Sequence, residues 1–356
     1  FLIDIVSFTY NINKYIYNPK KRTLMKIFKI RPILIALSTL GVAFFLLSWG
    51  VIGHERINRA AVMALPAPLQ TFFYNHIDYI TQESTVPDLR RNVLNDKVEP
   101  PRHYFDMENF GAVSTFPKTI EEAQKKYDEK FLNKNGVLPW HIQDMMVKLT
   151  KAFKDKRKNE ILFIAADLGH YIADAHMPLH TSDNHDGQNT NQKGIHSLWE
   201  SRLPELFVKE YKLNVAQGKY IENVDQAIWD LIFDTHSLVE PLLAADKKLR
   251  TATAENKIYI IDADGNIVKN KYGGMLYSDE YAGKLHTDLN GMVEKQMKKA
   301  ITLTASFWYT AWVNAGKPDL SKLDASELTK RNRKYLKKDL KTFEHGTLFG
   351  LSNEKE

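Results

Sequence analysis

Two histidine–carboxylate pairs are the residues best suited to chemistry: His170 with Asp174, and His196 with Glu200. Each pair is four residues apart. On a helix that spacing puts both side chains on one face, one turn from each other, where they can grip one ion. The first pair sits in Gly169-His170-Tyr171-Ile172-Ala173-Asp174-Ala175-His176-Met177-Pro178-Leu179-His180. Pro178 ends the helix, so His180 folds back toward the same region instead of continuing along the axis. Two such pairs on neighbouring helices of a bundle converge naturally on a metal in the core, and an ordinary apolar core needs none of these residues. The expected chemistry is that of a bound metal ion such as zinc, which acidifies a water it holds.

The elements that must carry these side chains read as helices. Apolar residues recur at helical spacing over 49–63, 69–80, 140–153, 160–176, 195–206, 224–249 and 291–313. Proline-rich punctuation marks the loops, as at Glu99-Pro100-Pro101. Residues 257–272 are the exception: Ile258-Tyr259-Ile260-Ile261 and Ile267-Val268 flank a turn at Asp264-Gly265, which predicts a β-hairpin inserted between helices. After Pro318 the composition becomes Lys-rich, and residues 321–356 read as a tail with a solvated terminal helix. The fold class expected is therefore all-α, a multi-helix bundle with a small hairpin insertion, with one domain over residues 49–320.

Residues 1–48 read differently. Residues 1–24 contain no Met and are taken as an upstream extension, with Met25 as the natural start. From there Lys26, Lys29 and Arg31 form a charged region and Ile33 to Leu47 an apolar run of 15 residues, too short for a typical membrane span. Residues 25–48 thus read as a signal peptide cut after Ser48, giving an exported protein, periplasmic or secreted; an uncleaved N-terminal anchor is the alternative. This segment holds seven of the 49 Lys and Arg and one of the 43 acids, so from Trp49 onward bases and acids balance at 42 each. The net charge of +6 belongs to the leader, and no strongly basic nucleic-acid-binding surface follows from it. The chain has no Cys, so an exported form is held by its core and by metal.

The start Trp49-Gly50-Val51-Ile52-Gly53-His54, then Asp88, His103, His170, Asp174, His180, His196 and Glu200, resembles the trinuclear-zinc superfamily of zinc-dependent phospholipase C and the single-strand-specific nucleases of the S-one/P-one type. The resemblance covers essentially Trp49 to Leu320. It implies three zinc ions at the bottom of a cleft. One would take Asp88, His103, His170 and Asp174; the second His180, His196 and Glu200; the third His54, a shared Asp174, and the α-amino nitrogen and carbonyl oxygen of Trp49. An α-amino group titrates near ~8, so metal displaces its proton at modest cost, whereas an internal amide could not serve. The reaction implied is in-line attack of zinc-generated hydroxide on a phosphodiester, with Asp88 and Asp174 in the catalytic centre. By the same resemblance Arg91, three residues after Asp88, contacts phosphate, and Tyr104, next to His103, stacks a base. Each could equally be an ordinary surface or core residue. His176 and His185 match no ligand position, and His76, His141, His236, His286 and His345 read as structural or exposed.

The substrate is less sharply marked. The Trp49–His54 spacing, Asp88-x-x-Arg91 and Asp186-Gly187-Gln188-Asn189 are similar to the nucleases, with Gln188 replacing a glycine of their loop. Glu200 in place of Asp and the short His180–His196 interval are closer to phospholipase C. The expectation is a nuclease or 3′-nucleotidase acting on single-stranded nucleic acid. Phospholipid head-group hydrolysis is the alternative, and a non-catalytic secreted zinc-binding helical protein a third reading. No protein partner is called for, and a monomer is expected.

Overall fold

The computed structural model describes residues 51–67, 69–269, 273–321, 323 and 330–346. The segment read as a leader, the expected cut after Ser48 and Trp49 lie outside the described residues. The expected all-α architecture is what the described residues form. They carry only isolated antiparallel bridges and no named strand, and none of their helices is long and apolar enough to cross a membrane.

The chain opens with α1 (Val51–Met63), then three helices of two turns each, α2 (Leu69–Asn75), α3 (Ile77–Glu83) and α4 (Val86–Asn92). Short 3-10 turns at Pro100–Arg102 and Met107–Phe110 lead to α5 (Ile120–Lys126) and α6 (Glu129–Asn135), whose first turns are capped by the Thr119 and Asp128 side chains. Then come α7 (Leu138–Lys154) and α8 (Lys158–Ala175). The second histidine pair starts at α9 (Ile195–Ser197), which runs through a π-helical turn, Leu198–Arg202, into α10 (Leu203–Phe207). Helices α11 (Val224–His236), α12 (Val239–Ala252), α13 (Glu255–Ile258), α14 (Asp279–Asp288), α15 (Met292–Asn314) and α16 (Lys330–Glu344) follow.

Helix α8 is the hub. It is apolar almost all the way round and packs against α7, α1, α15 and α3, so most of its residues are buried. The close approach to α1 is set by Gly169, where a Cβ would stand 1.9 Å from Asn58 Oδ1. Asn58 is itself buried, and its amide donates to the carbonyls of Ala166 (3.0 Å) and Ile80 (3.3 Å), tying α1, α8 and α3 together. Trp308 Nε1 donates to Ala165 O at 3.0 Å and ties in α15. This packing brings the first turn of α1, which bears His54, beside the last two turns of α8, which bear His170 and Asp174.

Several boundaries differ from the sequence reading. The helix expected over 69–80 breaks at His76, and the one expected over 224–249 breaks at Ser237 and Leu238. The second break has a plain cause: Pro241 in the first turn of α12 has no N–H with which to continue α11. The hairpin turns where expected, with Asp262 N donating to Asn266 O at 2.9 Å and Gly265 at φ +83°. It gains a third segment, because Ile260 N donates to Leu276 O at 2.8 Å. The tail helix α16 is not simply solvated. Phe343 is buried, Leu336 and Leu340 pack on the core, and Tyr74 donates to Asp339 at 2.9 Å, so one face of α16 docks on α1 and α2.

Candidate metal centre

Eight of the nine ligands read from the sequence converge on one region; the ninth, Trp49, lies outside the described residues. Within it, His103, His170 and Asp174 form one set, and His180, His196 and Glu200 a second; His54 groups with Asp174 and Glu200, and also with Asp88 and His170. In each set the ligand atoms lie within 4.8 Å of one another.

The first set is built from α8, the 3-10 turn before His103, and α4. His170 Nε2 lies 3.1 Å from His103 Nδ1 and 3.2 Å from Asp174 Oδ2, and His103 Nδ1 is 2.9 Å from that same oxygen. Asp88 Oδ1 approaches His103 Nδ1 at 3.9 Å. The second set has His180 Nε2 at 3.3 Å from His196 Nε2 and 3.7 Å from Glu200, with His196 Nε2 at 2.8 Å from Glu200 Oε2. Asp174 joins the two regions. While Oδ2 faces His103 and His170, Oδ1 faces His54 Nε2 at 3.5 Å and His180 at 3.7 Å. The His54 ring also stacks on His170, with centroids 3.9 Å apart.

The donor set can be tested against a cation. His170, His180 and His196 each hold a main-chain carbonyl with Nδ1, those of Ser84 (2.8 Å), His103 (2.7 Å) and His185 (2.8 Å). With the proton on Nδ1, Nε2 carries a lone pair, and these lone pairs face one another and the carboxylates of buried Asp174 and partly buried Glu200. Such an array repels itself unless a cation or protons lie between its members. Zinc with nitrogen and oxygen ligands at about 2.0–2.2 Å sets neighbouring ligand atoms about 3.3–3.5 Å apart in a tetrahedron, close to the spacings found. The residues present therefore fit zinc. Without it, protons take up the strain. Burial opposes charge on His170, but Asp174 overrides it and pushes this imidazole up to about 9. Burial and the adjacent His170 push His54 down to about 4. Asp174, although buried, is held well below the carboxylate range by His170 and His180.

Around the ligands, Arg90 and Arg91 have different settings. Arg90 bonds Asp167 at 2.6 Å, Glu99 at 3.2 Å and Tyr171 at 3.3 Å, and belongs to the framework. Arg91 pairs with no carboxylate among the described residues, and its charge acts on His180, His185 and Tyr104. Tyr104 is half-buried. Its hydroxyl donates to the carbonyls of Asn133 and Lys134, and a Cβ on Gly136 would stand 2.0 Å from its own carbonyl oxygen. An apolar cavity lined by Ile57, Met177, Trp199 and Met297 reaches His54 and Glu200. Gln188, where the resembled loop has glycine, bonds Asp186 N and Asp183 O and braces the turn.

The sequence reading missed three residues. Glu99 stands behind His103. Glu108 accepts from Ser182 (2.6 Å) and from Asp183 N (3.0 Å), holding the segment after His180. Asp106 is pushed up to about 7 by burial and by Asp183 and Glu108, so a carboxyl two residues beyond Tyr104 titrates near neutrality. Only proximity to His103 in the chain could have flagged them. The ring of His185 is not among the ligands, but its carbonyl orients His196.

The family model of the S1/P1 nucleases matches residues 49–311. The chain belongs to the S1/P1 nuclease family. Nuclease S1 of Aspergillus oryzae is 23% identical over an alignment of 199 positions that takes in 51% of this chain and 64% of that protein, so the match spans a little under two thirds of that relative. The family match spans all nine positions read from the sequence as ligands, from Trp49 through Glu200.

Proposed function

We propose that this member of the S1/P1 nuclease family is an exported, zinc-dependent phosphodiesterase acting on single-stranded nucleic acid, with 3′-nucleotidase activity. The observation that carries the reading is the convergence of imidazole lone pairs and shared carboxylates on one largely buried region, beside Arg91, which pairs with no carboxylate among the described residues. Asp88, His103, His170 and Asp174 would hold one zinc; His180, His196 and Glu200 a second. His54 and Asp174 would hold the third together with the α-amino nitrogen and carbonyl oxygen of Trp49, set free by a cut after Ser48. Bound there, zinc supplies an acidified water and neutralises the charge of the attacked phosphate.

The residues divide the remaining work. Asp174 turns one oxygen toward His103 and His170 and the other toward His54 and His180, which suits a carboxylate shared by two cations. Arg91 offers a guanidinium to the equatorial oxygens of the phosphate, where donors fixed in advance stabilise developing charge. Tyr104, its hydroxyl already engaged, leaves its ring to stack on a base of any identity, which suits unpaired strands.

The test is hydrolysis of single-stranded DNA, RNA, a 3′-nucleotide and phosphatidylcholine by one zinc-loaded preparation. Turnover of the nucleic acids and the 3′-nucleotide is expected. Turnover of the lipid alone would overturn the substrate assignment in favour of phospholipase C, and no turnover at all would favour a zinc-binding protein without catalysis.

A further inference from the structure

His103 is turned the other way from its neighbours. His170, His180 and His196 present Nε2 to the centre and anchor Nδ1 on main-chain carbonyls. His103 presents Nδ1, 2.9 Å from Asp174 and 3.1 Å from His170. Its outer nitrogen, Nε2, is buried and finds no hydrogen-bond acceptor in ideal geometry among the described residues; the carboxylate of Glu99 stands 3.4 Å away.

We propose that Glu99 is a positioning residue for the zinc held by His103: its carboxylate keeps the proton on Nε2 and so leaves the Nδ1 lone pair for the metal. The inference rests on the zinc reading given above. Three features of Glu99 suit it to this task. It is fully buried, yet braced as an anion: Oε2 accepts from Arg90 at 3.2 Å and from Arg102 at 3.0 Å, while Oε1 accepts from the Tyr171 hydroxyl. Arg90 is in turn fixed by Asp167 at 2.6 Å, so the carboxylate has little freedom to swing away. Finally, Glu99 and His103 flank the turn Pro100–Arg102, and the fixed φ of Pro100 and Pro101 makes that arm stiff.

The difference from a carbonyl is one of charge. A main-chain carbonyl offers a partial charge; a carboxylate offers a full one, which makes the imidazole a more basic ligand as well as choosing its tautomer. Losing such a partner typically weakens metal binding about 10–100-fold.

Zinc competition against a chromophoric chelator tests this with Glu99→Gln, which keeps the shape and removes the charge. The expected result is a 10–100-fold weaker affinity for one zinc, the others being unchanged. A folded Glu99→Gln protein that melts lower but binds every zinc as the wild type does would overturn the proposal, because Glu99 would then be only a brace. If that variant does not fold, the wild-type protein decides: long-range ¹H–¹⁵N spectra of the zinc-loaded, histidine-labelled chain should show the His103 proton on Nε2 and those of His170, His180 and His196 on Nδ1. A His103 proton on Nδ1 overturns it. Failure of the wild type to bind any zinc would instead overturn the metal reading itself.

Discussion

At the scale of single residues, Asp174 is the most exposed to test because two sets of ligands lean on it. Asp174→Asn keeps the shape but halves the acceptor capacity, and zinc and hydrolysis are expected to be lost together, measured by elemental analysis and single-strand cleavage. Full hydrolysis by that variant would remove the shared role. Arg90 and Arg91 make a paired prediction. Arg91→Ala should lower kcat about 10²–10³-fold with little change in melting temperature, as removal of one fixed donor to developing charge does elsewhere. Arg90→Ala strips partners from the nearly buried Asp167 and Glu99, and should instead cost about 3–5 kcal/mol of stability, read by denaturant titration. At this scale the sequence was eloquent: spacing marked His170, Asp174, His196 and Glu200, and eight of the residues read as ligands lie together in one region. It was silent on Glu99 and Asp106, because a lone acid beside a histidine carries no periodic signal and its setting depends on groups remote in the chain: Asp167, which fixes Arg90 beside Glu99, and Asp183, whose charge acts on Asp106.

Helices that carry the site were legible where they were long and buried. α7, α8 and α15 match the reading to within two residues at each end. The misses are α4, α5, α6, α13 and α14, short or largely exposed helices whose apolar spacing is too sparse to see; α13 takes in Lys257 and Ile258, read as the start of the hairpin, and α5, α6 and α14 are anchored by Thr119, Asp128 and Ser278 caps. Breaks at His76 and before Pro241 were also passed over, because apolar periodicity runs across them. The packing of α1 on α8 sets the distance from His54 to His170, and it depends on Gly169. Gly169→Ala would drive a methyl into the buried Asn58 amide. The expected cost is about 1–3 kcal/mol, with zinc retention falling alongside, since the two ligand-bearing helices must part. A variant as stable as the wild type, with zinc intact, would show that the helices give way elsewhere.

For the whole molecule, the balance of bases and acids from Trp49 onward makes stability a matter of buried groups. Burial and the Arg102 charge hold His141 down at about 3, and burial holds His176 down at about 4. The folded chain refuses protons that the unfolded chain accepts below ~6.5. Their contribution is therefore complete above ~6.5 and is lost as pH falls toward 4 and 3. Asp106, pushed up to about 7, works in the opposite sense: its buried neutral form favours folding at low pH, and that advantage disappears as pH rises toward 7. Comparing His141→Leu with the wild type, both zinc-free, isolates one term: the stability difference should shift in favour of the variant between pH 6.5 and 4. A difference that does not vary with pH would mean the ring is hydrated.

The role proposed for this fold is to hold a cluster of zinc. Elemental analysis of the purified protein beginning at Trp49 tests it most directly. About three zinc ions per chain are predicted, and one or none after zinc-replete preparation would contradict the account.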